Sequence, residues 1–341
     1  MSRLILSIES SCDDSSIALT DIESLEVVAH KKISQEIAHS KYGGVVPELA
    51  SRMHAVALPK LLESLKGYLD SVEAVGVTTH PGLSVSLHEG VIMAKAVATF
   101  LDVPIIGVNH LKGHIYSLFI EKEAQLPLLV LLLSGGHTQI LSVKGYDDMS
   151  ILATTLDDSV GEAYDKVAKM LDLGYPGGPI IEKLAREGDR ERFAFPVPLQ
   201  NSSRIAFSLS GLKNAVRLQI EALKVKGGMS QKDKCDIAAS FEKAILSHLL
   251  QKSKKIFKQE SIKHFAIVGG VSANSYIKGG FKRLCSEFNK EMLEVALQYT
   301  SDNAAMIGRA AIEALKAGKF DTIESLKVGA NRQLEAGSRL D

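Results

Sequence analysis

Residues 3–21, "RLILSIESSCDDSSIALTD", and residues 127–145, "PLLVLLLSGGHTQILSVKG", share one layout. Each is an apolar run, a polar turn of small residues, and a second apolar run. Short aliphatic runs bounded by turn residues read as strands, so each segment predicts two strands joined at a turn. Each also opens a longer stretch of mixed strand and helix signals. A chain that starts the same way twice suggests an internal duplication. The expected fold is α/β, with two similar lobes facing each other across a cleft. Residues 1–125 form the first lobe, and residues 126–341 form the second, which carries a helical insertion.

In the first half, "LEVVAHKKI" continues the sheet and "VVPELASRMHAVALPKLLESLKGYL" reads as helix. Pro47 suits a first helical turn, and Pro59 should start or kink the second part. "VEAVGVTTH" is a short buried strand, "PGLSVSLHEG" a glycine-containing turn, "EGVIMAKAVATFL" a helix and "VPIIGVN" a strand. The second half is more helical, with helices expected at 158–172, 212–225, 235–258, 274–288 and 302–317. "MLEVALQY" reads as a strand just before the last of these.

Hydrophobic residues make up 45% of the chain and charged residues 23%, which suits a protein with a large buried core. Lys+Arg and Asp+Glu number 40 each, which excludes a generally basic nucleic-acid coat but leaves room for a local patch. Lys252, Lys254, Lys255 and Lys258 are candidates for one, against the plainer reading of a solvated helix face. Cys12, Cys235 and Cys285 form no C-x-x-C pair and read as reduced thiols of a cytoplasmic protein. The N-terminus is too short and too polar for a signal peptide or membrane span.

Three strand-to-turn junctions, "IESSCDDSS", "LLLSGGHTQ" and "IVGGVSAN", invite a phosphate reading. Glycines admit close backbone approach, and turn N–H groups form an anion-binding concavity. Neither a Walker A pattern nor G-x-G-x-x-G after the first strand is present. Asp157 and Asp158 read either as carboxylates near a phosphate site or as N-caps of the 158–172 helix. Asp165 falls off that helix's apolar face, as a solvated aspartate would.

"GVNHLKGHIYS" places His110 and His114 one helical turn apart, where both can ligate one ion. Packed or exposed histidines are the alternative. Two histidines leave a site incomplete, and Asp302, expected as an N-cap before the last helix, is the candidate third ligand. A set of two histidines and one carboxylate suits Fe(II) or Zn(II). Leu111 occupies the position at which H-E-x-x-H metalloproteases need their glutamate base, so the pair does not read as a protease site.

Taken in order, these motifs resemble the bacterial TsaD family of tRNA N6-adenosine threonylcarbamoyltransferases, once described as O-sialoglycoprotein endopeptidase-like. "IESSCDDSS", "YGGVVPELASRMH", "NHLKGHIYS", "LLLSGGHTQ", "DDSVGEAYDKVAKMLDLGYPGGP", "FSLSGLKNAV", "GGVSANSYI" and "TSDNAAMIG" follow in the family's order nearly end to end. The resemblance implies the duplicated actin-like (ASKHA, ribonuclease H-like) fold. It also implies transfer of threonylcarbamoyl from threonylcarbamoyl-AMP to the adenosine 3′ of the anticodon in tRNAs reading ANN codons. His110, His114 and Asp302 become metal ligands, for Fe(II) first and Zn(II) as the alternative. Leu132, Leu133, Ser134, Gly135, Gly136, Asp165, Gly178, Glu182 and Asn274 become adenylate contacts, in a site that can also take ATP or ADP. Asp13 or Asp14 is the candidate proton acceptor.

The implied partners are tRNA, a TsaB-like paralogue and a TsaE-like ATPase, with no membrane. The chain departs from the family in Asp14 for Glu, Ser15 for Thr, Glu182 for Asp and His80 for Gly. Two other classes use the same turns: an actin-like ATPase or small-molecule kinase, and a non-catalytic nucleotide-binding scaffold.

Overall fold

The computed structural model describes residues 3–329. Its strands are β1 (Leu4–Glu9), β2 (Asp14–Asp21), β3 (Val27–Ser34), β4 (Val72–His80), β5 (Ile105–Asn109), β6 (Leu128–Leu133), β7 (Thr138–Val143), β8 (Met149–Thr154), β9 (His264–Val268) and β10 (Glu291–Leu293). They form two five-stranded sheets, ordered β3-β2-β1-β4-β5 and β10-β9-β6-β7-β8. In the first, β1 pairs antiparallel with β2 and parallel with β4. In the second, β6 pairs antiparallel with β7 and parallel with β9. The topology therefore repeats, as the two matching segments predict.

Each sheet belongs to its own compact unit. One runs to Gln125 and resumes at Val295, and the other spans Leu126–Glu294. The unit changes after residue 125, and the second segment, expected over residues 126–341, gives way to the first unit again at Val295. The reason is the helix Ala304–Lys316, nearly all of whose residues are buried. Ser7 Oγ donates to Ala304 O at 2.7 Å, and Ala304 N donates to Ser16 Oγ at 3.0 Å, fastening its first turn to β1 and β2. "MLEVALQY" is strand only over Glu291–Leu293, and a short 3₁₀ turn, Leu297–Tyr299, follows. β10 is an edge strand that pairs with β9 over three residues before the chain returns to the first unit.

Helix Pro47–Glu63 contains Pro59 without ending there. Helix Ser84–Leu101 takes in most of the segment expected as a turn. Its start is set by Leu83 N donating to Ser11 O at 2.8 Å and by Ser10 Oγ donating to Ser86 O at 2.9 Å. The second unit inserts Val160–Met170, Gly177–Ala185, Ser210–Val225 and Gln231–Gln259 between β8 and β9. Lys252 does not belong to an exposed basic patch. It is fully buried, and its ammonium donates to Leu199 O and Arg204 O at 2.9 and 3.1 Å. Lys254 pairs with Glu287 and Lys255 donates to Ser202 O, so Lys258 is the exposed member of the four. No helix among the described residues is long and apolar enough to cross a membrane.

Arg309, fully buried on the returning helix, donates through Nε to Phe119 O at 2.7 Å and pairs with Glu313 at 2.6 Å. Arg309→Leu strands a buried carbonyl and a carboxylate, so it should lower the unfolding free energy by about 3 kcal/mol. Denaturant titration of the two proteins measures this.

Candidate metal centre and nucleotide-binding turns

β5 ends at Asn109, whose side-chain oxygen accepts from Leu111 N at 2.8 Å and Lys112 N at 3.3 Å. This cap starts the short helix His110–Tyr116. Gly113 lets that helix lie against the returning one: a Cβ there would meet Ile307 Cδ1 at 2.8 Å. Asp302 arrives from the other side, just ahead of Ala304–Lys316. It is not the N-cap expected of it. Asn303 takes that role, accepting from Met306 N at 2.9 Å, which leaves the Asp302 carboxylate free for the histidines.

One ligand atom from each of His110, His114 and Asp302 lies within 4.8 Å of the other two. Asp302 Oδ1 sits 3.4 Å from His110 Nε2 and 3.2 Å from His114 Nε2. The rings stand edge to face, with centroids 4.6 Å apart. Behind them is a group that the motifs do not announce. Glu9, fully buried at the end of β1, puts Oε2 3.0 Å from His110 Nδ1. It also accepts from Thr78 Oγ1 at 2.5 Å and Ser11 N at 2.6 Å. A carboxylate can only accept, so it holds a proton on His110 Nδ1 and points Nε2 toward Asp302 and His114. A charged residue inside the apolar run "LILSIES" is the signal that could have found it.

Burial works against charge on all of these groups. Against it, Asp302 and Glu9 together hold His110 well above the usual imidazole range. Burial also opposes ionisation of Asp302, but the two histidines hold it well below the usual carboxylate range. Both ring nitrogens of His114 are buried, and neither makes a hydrogen bond among the described residues. Nε2 has the Asp302 carboxylate beside it at 3.2 Å, but without a well-formed bond a buried imidazole is costly. A divalent cation facing the three candidate ligand atoms would remove that cost and would replace the His110 proton. Two imidazoles and one partly exposed carboxylate suit Fe(II) or Zn(II) with a position left for another ligand.

The acidic turn lies beside this centre. Asp14 Oδ2 is 2.5 Å from Lys32 Nζ, and the same ammonium donates to Asp302 O at 2.9 Å. Burial pushes the Asp14 carboxyl up to about 6, with Lys32 holding it back. Asp14 is thus tied down as an ion-pair partner, whereas Asp13 is partly exposed on the turn itself.

The adenylate candidates all fall in the second unit. Leu132 and Leu133 are fully buried, so only their backbone can meet a ligand, whereas Gly135 and Gly136 are exposed. Helix Val160–Met170 begins against this turn: a Cβ on Gly161 would meet Ser134 O at 2.7 Å. Gly269 (φ +89°) lets the third glycine turn approach the same place, since a Cβ there would overlap Leu133 O. Asp165 is not a solvated aspartate: it is half-buried and accepts from Gly177 N at 2.7 Å, at the start of Gly177–Ala185. Gly178 faces open space.

Asn274 caps Ser275–Glu287, accepting from Ile277 N at 2.9 Å while its amide donates to buried Glu242 at 2.9 Å. Glu182 Oε1 accepts from Ser275 N at 3.0 Å and Ser275 Oγ at 2.6 Å and pairs with Arg186 at 2.9 Å. Asp157 and Asp158 do not cap the helix that follows them, which Ser159 does. Asp157 instead accepts from Leu209 N at 2.7 Å and Ser210 N at 3.3 Å, and Asp158 pairs with Lys166 and Lys213.

The family model described as "TsaD: tRNA N6-adenosine threonylcarbamoyltransferase" matches residues 26–309. The chain belongs to this family. It is 60% identical over 337 residues to the tRNA N6-adenosine threonylcarbamoyltransferase of Sulfurovum sp. (strain NBC37-1), covering 99% of this chain and 100% of that one. The protein of the same name from Helicobacter pylori (strain G27) is 52% identical, with 98% and 99% covered.

Among solved structures, T. kodakarensis HypF matches 95% of this chain and 49% of its own, with TM-score 0.62 at 17% identity. Acidaminococcus fermentans (R)-2-hydroxyglutaryl-CoA dehydratase component A matches 93% and 99%, with TM-score 0.54 at 14% identity. At such identities the likeness speaks to the fold, which is the expected α/β, two-lobed, actin-like one.

Two outcomes are expected at the centre. Glu9→Gln should weaken metal affinity about 10- to 100-fold by releasing the His110 ring, as chelator competition would show. The raised His110 pKa stabilises the metal-free chain below the ordinary imidazole range, and that contribution is lost as pH rises through the folded value. Metal binding must expel this proton, so affinity should rise with pH. Calorimetry in buffers of different ionisation enthalpy should register the released proton.

Proposed function

We propose that this chain transfers the threonylcarbamoyl group from threonylcarbamoyl-AMP to the N6 amine of the adenosine 3′ of the anticodon in tRNAs reading ANN codons. The observation that carries the reading is the His110–His114–Asp302 cluster, two buried imidazoles facing one partly exposed carboxylate, in a chain of this family. An actin-like ATPase or sugar kinase would have no use for it.

The adenosine amine is a weak nucleophile, because its lone pair is delocalised into the ring. The donor carbon is activated by its phosphate leaving group. Catalysis here is chiefly positioning and stabilisation of developing negative charge. Backbone N–H groups of Ser134–Gly136 and the adjoining helix N-termini bind the adenylate phosphate. Asp165, Gly178, Asn274 and Glu182 meet the nucleoside. A divalent ion held by His110, His114 and Asp302, Fe(II) before Zn(II), would supply Lewis-acid polarisation of the carbamoyl group. Glu9 keeps His110 in the tautomer that presents Nε2. Asp13 takes the amine proton, with Asp14 already occupied by Lys32. tRNA is the acceptor, a TsaB-like paralogue and a TsaE-like ATPase are the partners, and the cytoplasm is the location.

The test is nucleoside mass spectrometry of tRNA incubated with threonylcarbamoyl-AMP, the partners and the metal-loaded protein. The threonylcarbamoyl mass should appear. His110→Ala and Asp302→Ala should abolish it and lose the metal. Asp13→Asn should keep the metal and lower kcat about 100-fold, the scale of a removed general base. Full activity of a variant shown to be metal-free would overturn the metal's role.

A further inference from the structure

The block "YGGVVPELASRMH" has no part in the chemistry above, yet it ends in a fully buried histidine, His54, on helix Pro47–Glu63. Its Nδ1 lies 2.7 Å from Ser15 Oγ, and its Nε2 lies 3.0 Å from Cys12 O. We infer that His54 is a positioning residue for the acidic turn, gripping both ends of Cys12–Ser15 and so fixing where Asp13 projects. The inference rests on the reading of that turn as the proton acceptor.

The chemistry of the two bonds leaves one arrangement. A carbonyl oxygen only accepts, so Nε2 carries the ring proton, and Nδ1 must then accept from the Ser15 hydroxyl. The ring is neutral: burial holds it below the usual imidazole range, and Cys12 O with the Glu9, Glu89 and Asp13 carboxylates offsets only part of this. An ordinary core position asks for an aliphatic side chain. Here both nitrogens are spent on one four-residue turn.

Other holds on that turn and on Ser11 just before it come from elsewhere, beside the Asp14–Lys32 pair. Ser11 O accepts from Leu83 N at 2.8 Å, Asp13 O accepts from Gln35 N at 3.0 Å, and Ser11 N donates to Glu9 at 2.6 Å. Ser15 supplies the hydroxyl that the His54 bond requires.

The experiment is steady-state tRNA threonylcarbamoylation by the metal-loaded full chain with its partners, using threonylcarbamoyl-AMP as donor. His54→Ala should lower kcat at least tenfold. KM for threonylcarbamoyl-AMP and the bound metal should stay within twofold of the unaltered chain. His54→Gln, whose amide can still donate to Cys12 O, should restore kcat to within threefold. Ser15→Ala, which spares the core should His54→Ala not fold, should lower kcat three- to fivefold. Unchanged kcat in His54→Ala beside an inactive Asp13→Asn would overturn the inference and leave the acidic-turn reading standing. Full activity in both Asp13→Asn and Asp14→Asn would remove that reading and the inference with it. A His54→Gln variant no better than His54→Ala would make the residue one of packing alone.

Discussion

The first turn of helix Ala304–Lys316 is sewn to β1 and β2 by two serines, Ser16 accepting from the helix backbone and Ser7 donating to it. Through that attachment Asp302 meets His110 and His114, which lie nearly two hundred residues earlier. Gly308 permits it, since a Cβ there would meet Ser7 Oγ at 2.9 Å, and Gly113 permits the histidine helix to approach from the other side. Small residues on both helices bring three ligands to one point. Arg309 then fixes the pair by reaching Phe119 O.

Behind the ligands, one buried carboxylate organises several groups at once. Glu9 orients His110, accepts from Thr78 on the neighbouring strand, and holds Ser11 N in the acidic turn. Lys32 makes a second link, from Asp14 to the backbone of Asp302. The candidate metal centre and the acidic turn are therefore not independent. A change that frees Glu9 or Lys32 alters both, and such neighbouring effects are not additive.

The duplication extends beyond strand order to the packing of the turns. In the first unit a Cβ on Gly82, after β4, would meet Ser11 O at 2.7 Å, and in the second a Cβ on Gly269, after β9, would overlap Leu133 O. In each unit the turn after the parallel strand closes on the turn of the leading strand pair, and only a residue without a side chain fits there. One unit's turn bears carboxylates and lies beside the His110–His114–Asp302 cluster. The other bears exposed glycines and helix N-termini, the natural setting for a phosphate.

Local pattern sufficed for much of this. The two strand–turn–strand segments foretold two sheets of one topology. The spacing of His110 and His114 placed both rings on one helical face, and Leu111 told against a protease. Those signals are legible because hydrophobic period and turn chemistry act over a few residues. The sequence could not say that residues 295 onward return to the first sheet, that Asn303 rather than Asp302 caps the last helix, or that Asp157 caps a helix some fifty residues away. Nor could it show Lys252 buried rather than at the surface. Each of these depends on which distant backbone groups remain unpaired once the sheets have formed, and that is settled by tertiary packing. The same holds for Glu9 and His54, whose roles exist only because the fold brings distant donors and acceptors to their polar atoms.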